Sequence, residues 1–236
     1  MDEAIVLAGG KGTRLAPYTT VFPKPLMPVG DMPVLEILLR QLVANGFTRV
    51  HLAVGHLAEL IEAFFGDGER LGVELRYWRE DEPLGTAGPL AQIDVSAESV
   101  LVMNGDLFTT IDFRDVIQQH VESGATATIG VLRRDVPIDF GVVHLEQDSV
   151  VGFEEKPVLS YEVSMGIYVF TREALELIPR GEHFDFPDLL LALLERGLPV
   201  HAYRYTDFWL DIGRPEDYER ANAEFEGLRP RLLPAS

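Results

Sequence analysis

The 236-residue chain has no cysteine, so a disulfide framework and a thiolate metal site are excluded. It has no apolar run near the ~20 residues of a membrane span. Met1-Asp2-Glu3 carries the wrong charge for a signal peptide. A cytoplasmic protein with no membrane partner is expected. Positive charge is scarce: 20 Lys and Arg stand against 38 Asp and Glu, a formal net charge of −18. That balance argues against nonspecific nucleic-acid binding. It also makes an anionic substrate awkward unless a few cations are concentrated where it binds and a divalent metal joins them. Hexapeptide repeats are absent too, and with them a β-helix. What remains fits one large α/β domain able to bury a substantial core.

Three of the scarce cations, Lys11, Arg14 and Lys24, stand together near the start. Ile5 to Ala8 reads as a buried first strand, and it breaks into Gly9-Gly10-Lys11-Gly12-Thr13-Arg14-Leu15, followed by Phe22-Pro23-Lys24-Pro25-Leu26. Glycines let backbone N–H groups approach an anion, and Lys11 and Arg14 supply charge, so the composition suits a phosphate cradle. Two familiar phosphate loops do not match. The dinucleotide fingerprint needs a third glycine where Leu15 stands, and the ATPase loop needs lysine after Gly12, where Thr13 stands.

The chain then alternates helix and strand. Met32–Val43 reads as a helix with Pro33 in its first turn and Asn45-Gly46 as its stop. Arg49–Val54 is a strand, Leu57–Phe65 a helix and Val73–Trp78 a third strand, which predicts a doubly wound parallel sheet. His51 and His56 receive no role. Ser99–Met103 is a fourth strand running into Asn104-Gly105-Asp106. A carboxylate just past a parallel strand lies at the ligand-binding edge, and aspartate is a hard ligand suited to Mg²⁺. Asp112 is a plausible N-cap for a helix over 113–121. Strands are expected over 126–132, from 140, over 150–153, 163–170 and 198–205. Helices are expected over 186–194 and from Arg214-Pro215, and residues 227–236 form a loosely attached tail beyond a domain of residues 1–226.

The opening L-A-G-G-K-G-T-R-L with P-K-P resembles the signature of the sugar-phosphate nucleotidyltransferases, the NDP-sugar pyrophosphorylases. Leu84-Gly85-Thr86-Ala87-Gly88, Asn104-Gly105-Asp106, Phe140-Gly141-Val142-Val143, Glu155-Lys156-Pro157 and Trp209-Leu210-Asp211-Ile212-Gly213 resemble its later motifs. The stretch E-P-L-G-T-A-G-P-L is most similar to GDP-mannose pyrophosphorylases that lack the C-terminal β-helix. The resemblance implies a Rossmann-like α/β/α sandwich with a mixed, mostly parallel sheet. It also implies an enzyme joining a nucleoside triphosphate to a sugar 1-phosphate with release of pyrophosphate.

The same resemblance distributes roles. Leu7, Ala8, Gly9, Gly10, Lys11, Gly12, Thr13 and Arg14 would hold the nucleotide, with Gly85 and Thr86 against the nucleoside. Asp106 and Asp211 would hold Mg²⁺, the expected cofactor. Arg14 would hold the departing pyrophosphate, Lys24 would lie near the α-phosphate and Lys156 would pair with the sugar phosphate. Gly141, Glu155 and Gly166 would line the sugar. Ser164 and Met165 replace the Asn and Ala that many relatives carry before this last glycine, which leaves the hexose open. Glu80 falls where relatives read the base. One carboxylate can accept both the N1–H and N2–H₂ donors of guanine, whereas uracil and thymine are better met by an amide, so GTP is favoured. A uridylyl-, thymidylyl- or cytidylyltransferase, a noncatalytic NDP-sugar-binding paralogue and a glycosyltransferase of similar sheet topology remain alternatives. Oligomeric state is open, with a homo-oligomer among the possibilities.

Overall fold

The apolar run at the start becomes strand β1, Glu3–Ala8, in the interior of a seven-stranded sheet. The structure is a computed structural model that describes residues 2–80 and 82–233. After β1 come a short hairpin of β2 (Pro28–Val29) and β3 (Met32–Pro33), then helix α1 (Val34–Ala44). They are followed by β4 (Arg49–Val54), α2 (Ala58–Phe65), β5 (Glu74–Arg79), β6 (Ser99–Asn104), β7 (Leu107–Thr109) and α3 (Phe113–Ser123). The second half holds β8 (Ala127–Pro137), β9 (Val142–Glu146), β10 (Ser149–Glu154) and β11 (Val158–Thr171). It closes with α4 (Arg172–Leu175), α5 (Phe186–Glu195), β12 (Val200–Tyr205), β13 (Trp209–Asp211) and α6 (Pro215–Leu232).

The sheet order is β12-β8-β11-β6-β1-β4-β5. β1 runs parallel to β4 and β6, β4 to β5, and β8 to β12, while β11 is antiparallel to both neighbours. The sheet is therefore mixed and mostly parallel, as expected. Side chains alternate across it. Ala4, Val6 and Ala8 of β1 join a core that includes Leu35, Leu38 and Leu42 of α1, Ile61 of α2 and Val116 of α3. Ile5 joins the opposite core with Leu189 and Leu193 of α5. Because β1, β4, β5 and β6 are parallel, their carboxyl ends share one edge, and that edge carries the loops singled out above.

Three boundaries differ from expectation. α1 begins at Val34 because Met32 and Pro33 pair with Pro28 and Val29, which leaves Pro33 extended as the cap (ψ 144°) rather than in the first turn. β8 and β11 run well past their apolar segments as an exposed ribbon. Residues 227–232 are not a loose tail: α6 continues through them and Leu232 is fully buried with Phe225 and Ala221. Residues 234–236 lie outside the described residues. Pro230 lies inside this helix without ending it. Among the described residues no helix is long and apolar enough to cross a membrane.

Far from the loop edge, Glu3 is buried at the start of β1, where it accepts hydrogen bonds from the Ser96 backbone N–H (2.9 Å) and hydroxyl (2.6 Å) and from Arg49. Burial raises its carboxyl, but the Ser96 and Arg49 donors outweigh that and bring its pKa from 4.5 to about 2. His51 sits beside it, its Nδ1 accepting from the Trp78 indole N–H at 3.0 Å, and burial lowers its pKa. These are structural groups. A depressed carboxyl stabilises the fold above its unfolded pKa and loses that contribution as pH falls through the folded value. Glu3 is thus expected to supply up to about 3 kcal/mol at neutral pH, lost between roughly pH 4.5 and 2. Urea unfolding followed against pH should show that slope in the parent chain and a flatter one in Glu3→Gln.

Candidate active site

At the carboxyl edge the loops enclose a cleft of about 930 Å³. Its floor is the turn after β1. Leu7, Ala8, Gly9, Gly10, Lys11, Gly12, Thr13 and Arg14 all line it, as do Lys24, Glu80, Gly85, Thr86 and Asp106. All of the nucleotide-binding residues expected from the sequence therefore meet in one cavity.

Gly9 allows the closest approach in this floor. A Cβ there would sit 2.8 Å from Glu80 Oε1, and its carbonyl accepts the His56 N–H at 3.3 Å. The glycine thus brings the loop against the end of β5. Glu80 is half-buried, and its Oε2 accepts the Leu84 N–H at 3.1 Å. Burial raises its carboxyl above the usual range, and the Leu84 donor opposes the shift without cancelling it.

The Leu84–Gly88 loop is clamped to the segment before α5. The Ala87 and Gly88 N–H groups both donate to the Phe184 carbonyl at 2.9 Å, and the Phe184 N–H donates to the Leu84 carbonyl at 2.8 Å. Thr86 donates its N–H (2.7 Å) and hydroxyl (3.0 Å) to Asp185 and accepts the Phe186 N–H at 2.9 Å. Those donors, the Thr86 backbone N–H first, hold the Asp185 carboxyl below its ordinary range. Gly85 has φ +82°, and a Cβ on it would lie 2.6 Å from the Phe184 carbonyl oxygen. Only glycine fits both constraints. The Thr86 hydroxyl is thus committed within the protein.

Asp106 lines the cleft, and Asp211, which does not line it itself, is brought beside Asp106 by pairing distant segments. β7 and β13 are antiparallel with Asp211 opposite Leu107, and the Ile212 N–H donates to the Asp106 carbonyl at 3.1 Å. That ladder brings together two aspartates more than a hundred residues apart. Between them stands Lys24, whose ammonium ion-pairs with Asp106 and lies 3.7 Å from Asp211 Oδ1. Lys24 rides on the 24–26 turn, where the Met27 N–H donates to its carbonyl at 3.0 Å and prolines on both sides stiffen the backbone. Burial and the facing Asp106 raise the Asp211 carboxyl, while Lys24 and Arg14 pull it down. The Arg14 guanidinium packs against Gly213, within 3.4 Å of where a Cβ would be.

Two oxygens here, Asp106 Oδ1 and Asp211 Oδ1, are buried without a hydrogen-bond partner. Paired hard oxygen donors left unsatisfied suit a Mg²⁺ ion, which is commonly held by one or two carboxylates together with substrate phosphates. Among the described residues there is no cluster of three or more His, Cys, Asp or Glu that could hold a metal ion.

The residues expected to hold the sugar phosphate are placed differently. Gly166 (φ +69°) packs on the Asn104 side chain, 2.5 Å from its Nδ2 to a built Cβ, and Asn104 lines the cleft. Gly141, Glu155 and Lys156 do not line it. They lie on the β9–β10 arm, where Glu155 Oε2 approaches Gly141 and Lys156 is exposed at φ +47°.

The cleft also recruits residues that sequence reasoning passed over. His56, given no role, and His183, outside every motif, both line it. His56 follows the end of β4, a position that parallel-sheet logic marks as ligand-facing. His183 arrives only through the clamp on Leu84–Gly88, which has no signal in the sequence.

Comparison with known proteins fits this geometry. The family described as Nucleotidyl transferase matches residues 3–227. A UTP–glucose-1-phosphate uridylyltransferase from Synechocystis is 37% identical over 93% of this chain and 62% of its own length. A mannose-1-phosphate guanylyltransferase from Mycobacterium tuberculosis is 35% identical over 97% of this chain and 66% of its own. The chain thus spans less than two thirds of these relatives. Among solved structures, HddC from Yersinia pseudotuberculosis complexed with GMP-PN superimposes with a TM-score of 0.75 at 26% identity. That match covers 95% of this chain and all of the other.

Proposed function

The chain belongs to the nucleotidyl transferase family, and from that premise we propose that it condenses a nucleoside triphosphate, GTP by preference, with a sugar 1-phosphate. The observation that carries the reading is the Lys24–Asp106–Asp211 group beside the glycine loop. A sugar-phosphate oxygen is already anionic at pH 7, so the attack needs no general base. It forms a new bond to the α-phosphorus as the bond to the β-phosphate oxygen breaks, and pyrophosphate leaves with the electron pair. Rate enhancement then comes from in-line positioning and charge neutralisation.

In this scheme the amides of Gly9–Thr13 and the Arg14 guanidinium bind the pyrophosphate portion, and Lys24 serves the α-phosphate. Asp106 and Asp211 would hold Mg²⁺, which would supply positive charge against the repulsion between the two phosphate groups. Gly166, and Gly141, Glu155 and Lys156 on the arm outside the cleft, are assigned to the sugar 1-phosphate from the resemblance.

Support for GTP is Glu80. Its carboxylate borders the cleft beside Gly9, and an ionised carboxylate can accept both donors of the guanine edge. The guanylyltransferase name borne by one relative points the same way, while the uridylyltransferase name of another makes UTP the competing reading. Pyrophosphate release should be measured with Mg²⁺ and GTP, dTTP, UTP, CTP and ATP in turn against a panel of sugar 1-phosphates. GTP should win, and Glu80→Gln should lower kcat/KM for GTP by ~30-fold or more, the worth of charge-assisted hydrogen bonds, with little change for UTP. Because burial raises this carboxyl, GTP use should also decline on acidification sooner than an ordinary glutamate would dictate, and Glu80→Gln should lack that limb. A UTP or dTTP preference unaltered by Glu80→Gln would reject the base assignment alone. No release with any pair would reject the enzymatic reading.

A further inference from the structure

The glycine loop is held from behind by a residue outside the cleft. Gly12 adopts φ +60°, and its carbonyl accepts the Leu15 N–H at 2.9 Å and the Thr19 hydroxyl at 2.7 Å. A carbonyl oxygen has two lone pairs, so this acceptor is filled. A Cβ on Gly12 would lie 3.0 Å from Thr19 Cγ2 and 3.2 Å from Lys24 Cβ, so these two residues close off one side of the turn. Thr19 is only 3% exposed and does not line the cleft, whereas Gly12, Thr13, Arg14 and Lys24 all do. Its own turn is seated on the body of the protein. The Thr20 N–H donates to the Pro17 carbonyl at 3.1 Å, and the Tyr18 ring packs on Tyr218 of α6 at 6.3 Å between centroids.

A trans peptide is planar, with its carbonyl and its N–H on opposite sides. A Gly12 carbonyl pinned by Leu15 and Thr19 therefore turns the Thr13 N–H the other way, away from Thr19. The Gly12, Thr13 and Arg14 N–H groups donate to no described residue. Successive free N–H groups in a turn of this kind form a concavity suited to an anion. The hydroxyl of Thr19 thus acts on the cleft through a peptide it does not share with any ligand.

We propose that Thr19 is a positioning residue for the phosphate cradle. Its hydroxyl fixes the Gly12–Thr13 peptide so that the Thr13 N–H faces the β- and γ-phosphates, which rests on the reading above in which the glycine loop takes the pyrophosphate portion. Without the hydroxyl only the Leu15 N–H restrains this carbonyl, and a glycine offers little resistance to a rotated peptide. The N–H would then have to be ordered when the phosphate binds, and that ordering weakens affinity. The nucleoside and the α-phosphate are met by Glu80, Gly85 and Lys24 in the same reading. A nucleoside monophosphate should therefore be insensitive to Thr19, and this difference separates the aiming of one N–H from a general loosening of the fold.

Thr19→Val keeps the branched shape and removes the hydroxyl, whereas Thr19→Ser keeps the hydroxyl and removes a methyl. Isothermal titration calorimetry with Mg²⁺ present should compare inorganic pyrophosphate, GTP with GMP, and UTP with UMP, and needs no turnover. Thr19→Val should weaken pyrophosphate and triphosphate binding by ~10-fold, the net effect of one hydrogen bond, and leave the monophosphates within ~2-fold. Thr19→Ser should recover most of the lost affinity. A parent chain that binds pyrophosphate or a triphosphate, with Thr19→Val binding it as tightly, would overturn the role of Thr19 alone. Equal weakening of mono- and triphosphate would also overturn it, as would Thr19→Ser being as weak as Thr19→Val, since either result assigns the residue to packing. A parent chain that binds neither pyrophosphate nor either triphosphate would overturn the reading of the glycine loop, and the role of Thr19 with it.

Discussion

Asp106→Asn is expected to lower the rate of pyrophosphate release by ~10³-fold, the upper range for loss of one preorganised charge-stabilising group. The substitution is nearly isosteric and removes one of two carboxylates that face Lys24. The Gly105 N–H to Leu7 carbonyl bond (2.8 Å) and the Ile212 N–H to Asp106 carbonyl bond (3.1 Å) are backbone features and remain. Thermal stability should therefore hold or rise slightly, because a like charge that raises the Asp211 carboxyl has gone. Lys24→Ala should be comparably inactive for a different reason. Titration with Mn²⁺ separates the two: Asp106→Asn should bind the ion weakly, whereas Lys24→Ala should not. Activity within ~10-fold of the parent in Asp106→Asn would remove this aspartate from the reaction.

Phe225→Ala is expected to cost ~3–5 kcal/mol in urea unfolding, the range for truncating a buried aromatic. The ring is fully buried against Phe108 at 6.4 Å between centroids, with Arg229 over its face at 5.3 Å. It is also what Gly30 (φ +63°) makes room for: a Cβ at Gly30 would collide with the ring. Around it α6 is pinned by Asn222 accepting the Gly30 N–H at 3.0 Å, by the Tyr218 hydroxyl on the Pro28 carbonyl at 2.7 Å, and by Arg229 on Asp31 at 2.9 Å. Phe108 stands on β7 two residues after Asp106, and Leu210 of the same core precedes Asp211. Loosening this core should therefore lower activity as well as stability. A loss below ~1 kcal/mol, typical of a surface change, would mean that α6 is held by its polar anchors alone.

Much of the fold was legible because local rules and tertiary packing agree. Short, mainly apolar runs marked β1, β4 and β6, and Asp112 caps α3 through the Arg114 and Asp115 N–H groups as its residue type suggests. The end of the chain was misread where packing overrode punctuation. Pro230 and Gly227 look like a tail, yet Phe225 and Leu232 fall on the buried side of one helix. The arm was under-read for the opposite reason: its strands interleave charge with apolar residues and have no core beneath them, so no continuous run announces them.

The glycine loop, Lys24, the carboxylate after β6 and the run ending in Asp211 could be chosen from the sequence because each lies where a strand ends or a motif recurs. Residue types and local order determined the parallel sheet, the phosphate-suited floor and the shortage of cations that makes Lys24 and Arg14 stand out. Only the tertiary structure decided that Asp211 joins Asp106, since the β7–β13 ladder closes a loop of more than a hundred residues and no local rule constrains that pairing. It also decided that Thr86 bonds Asp185 instead of facing the cleft freely, that His56 and His183 enter its wall, and that an amphipathic arm stands exposed. Each of these depends on which surfaces meet across the chain, and that is set by the summed burial of distant segments.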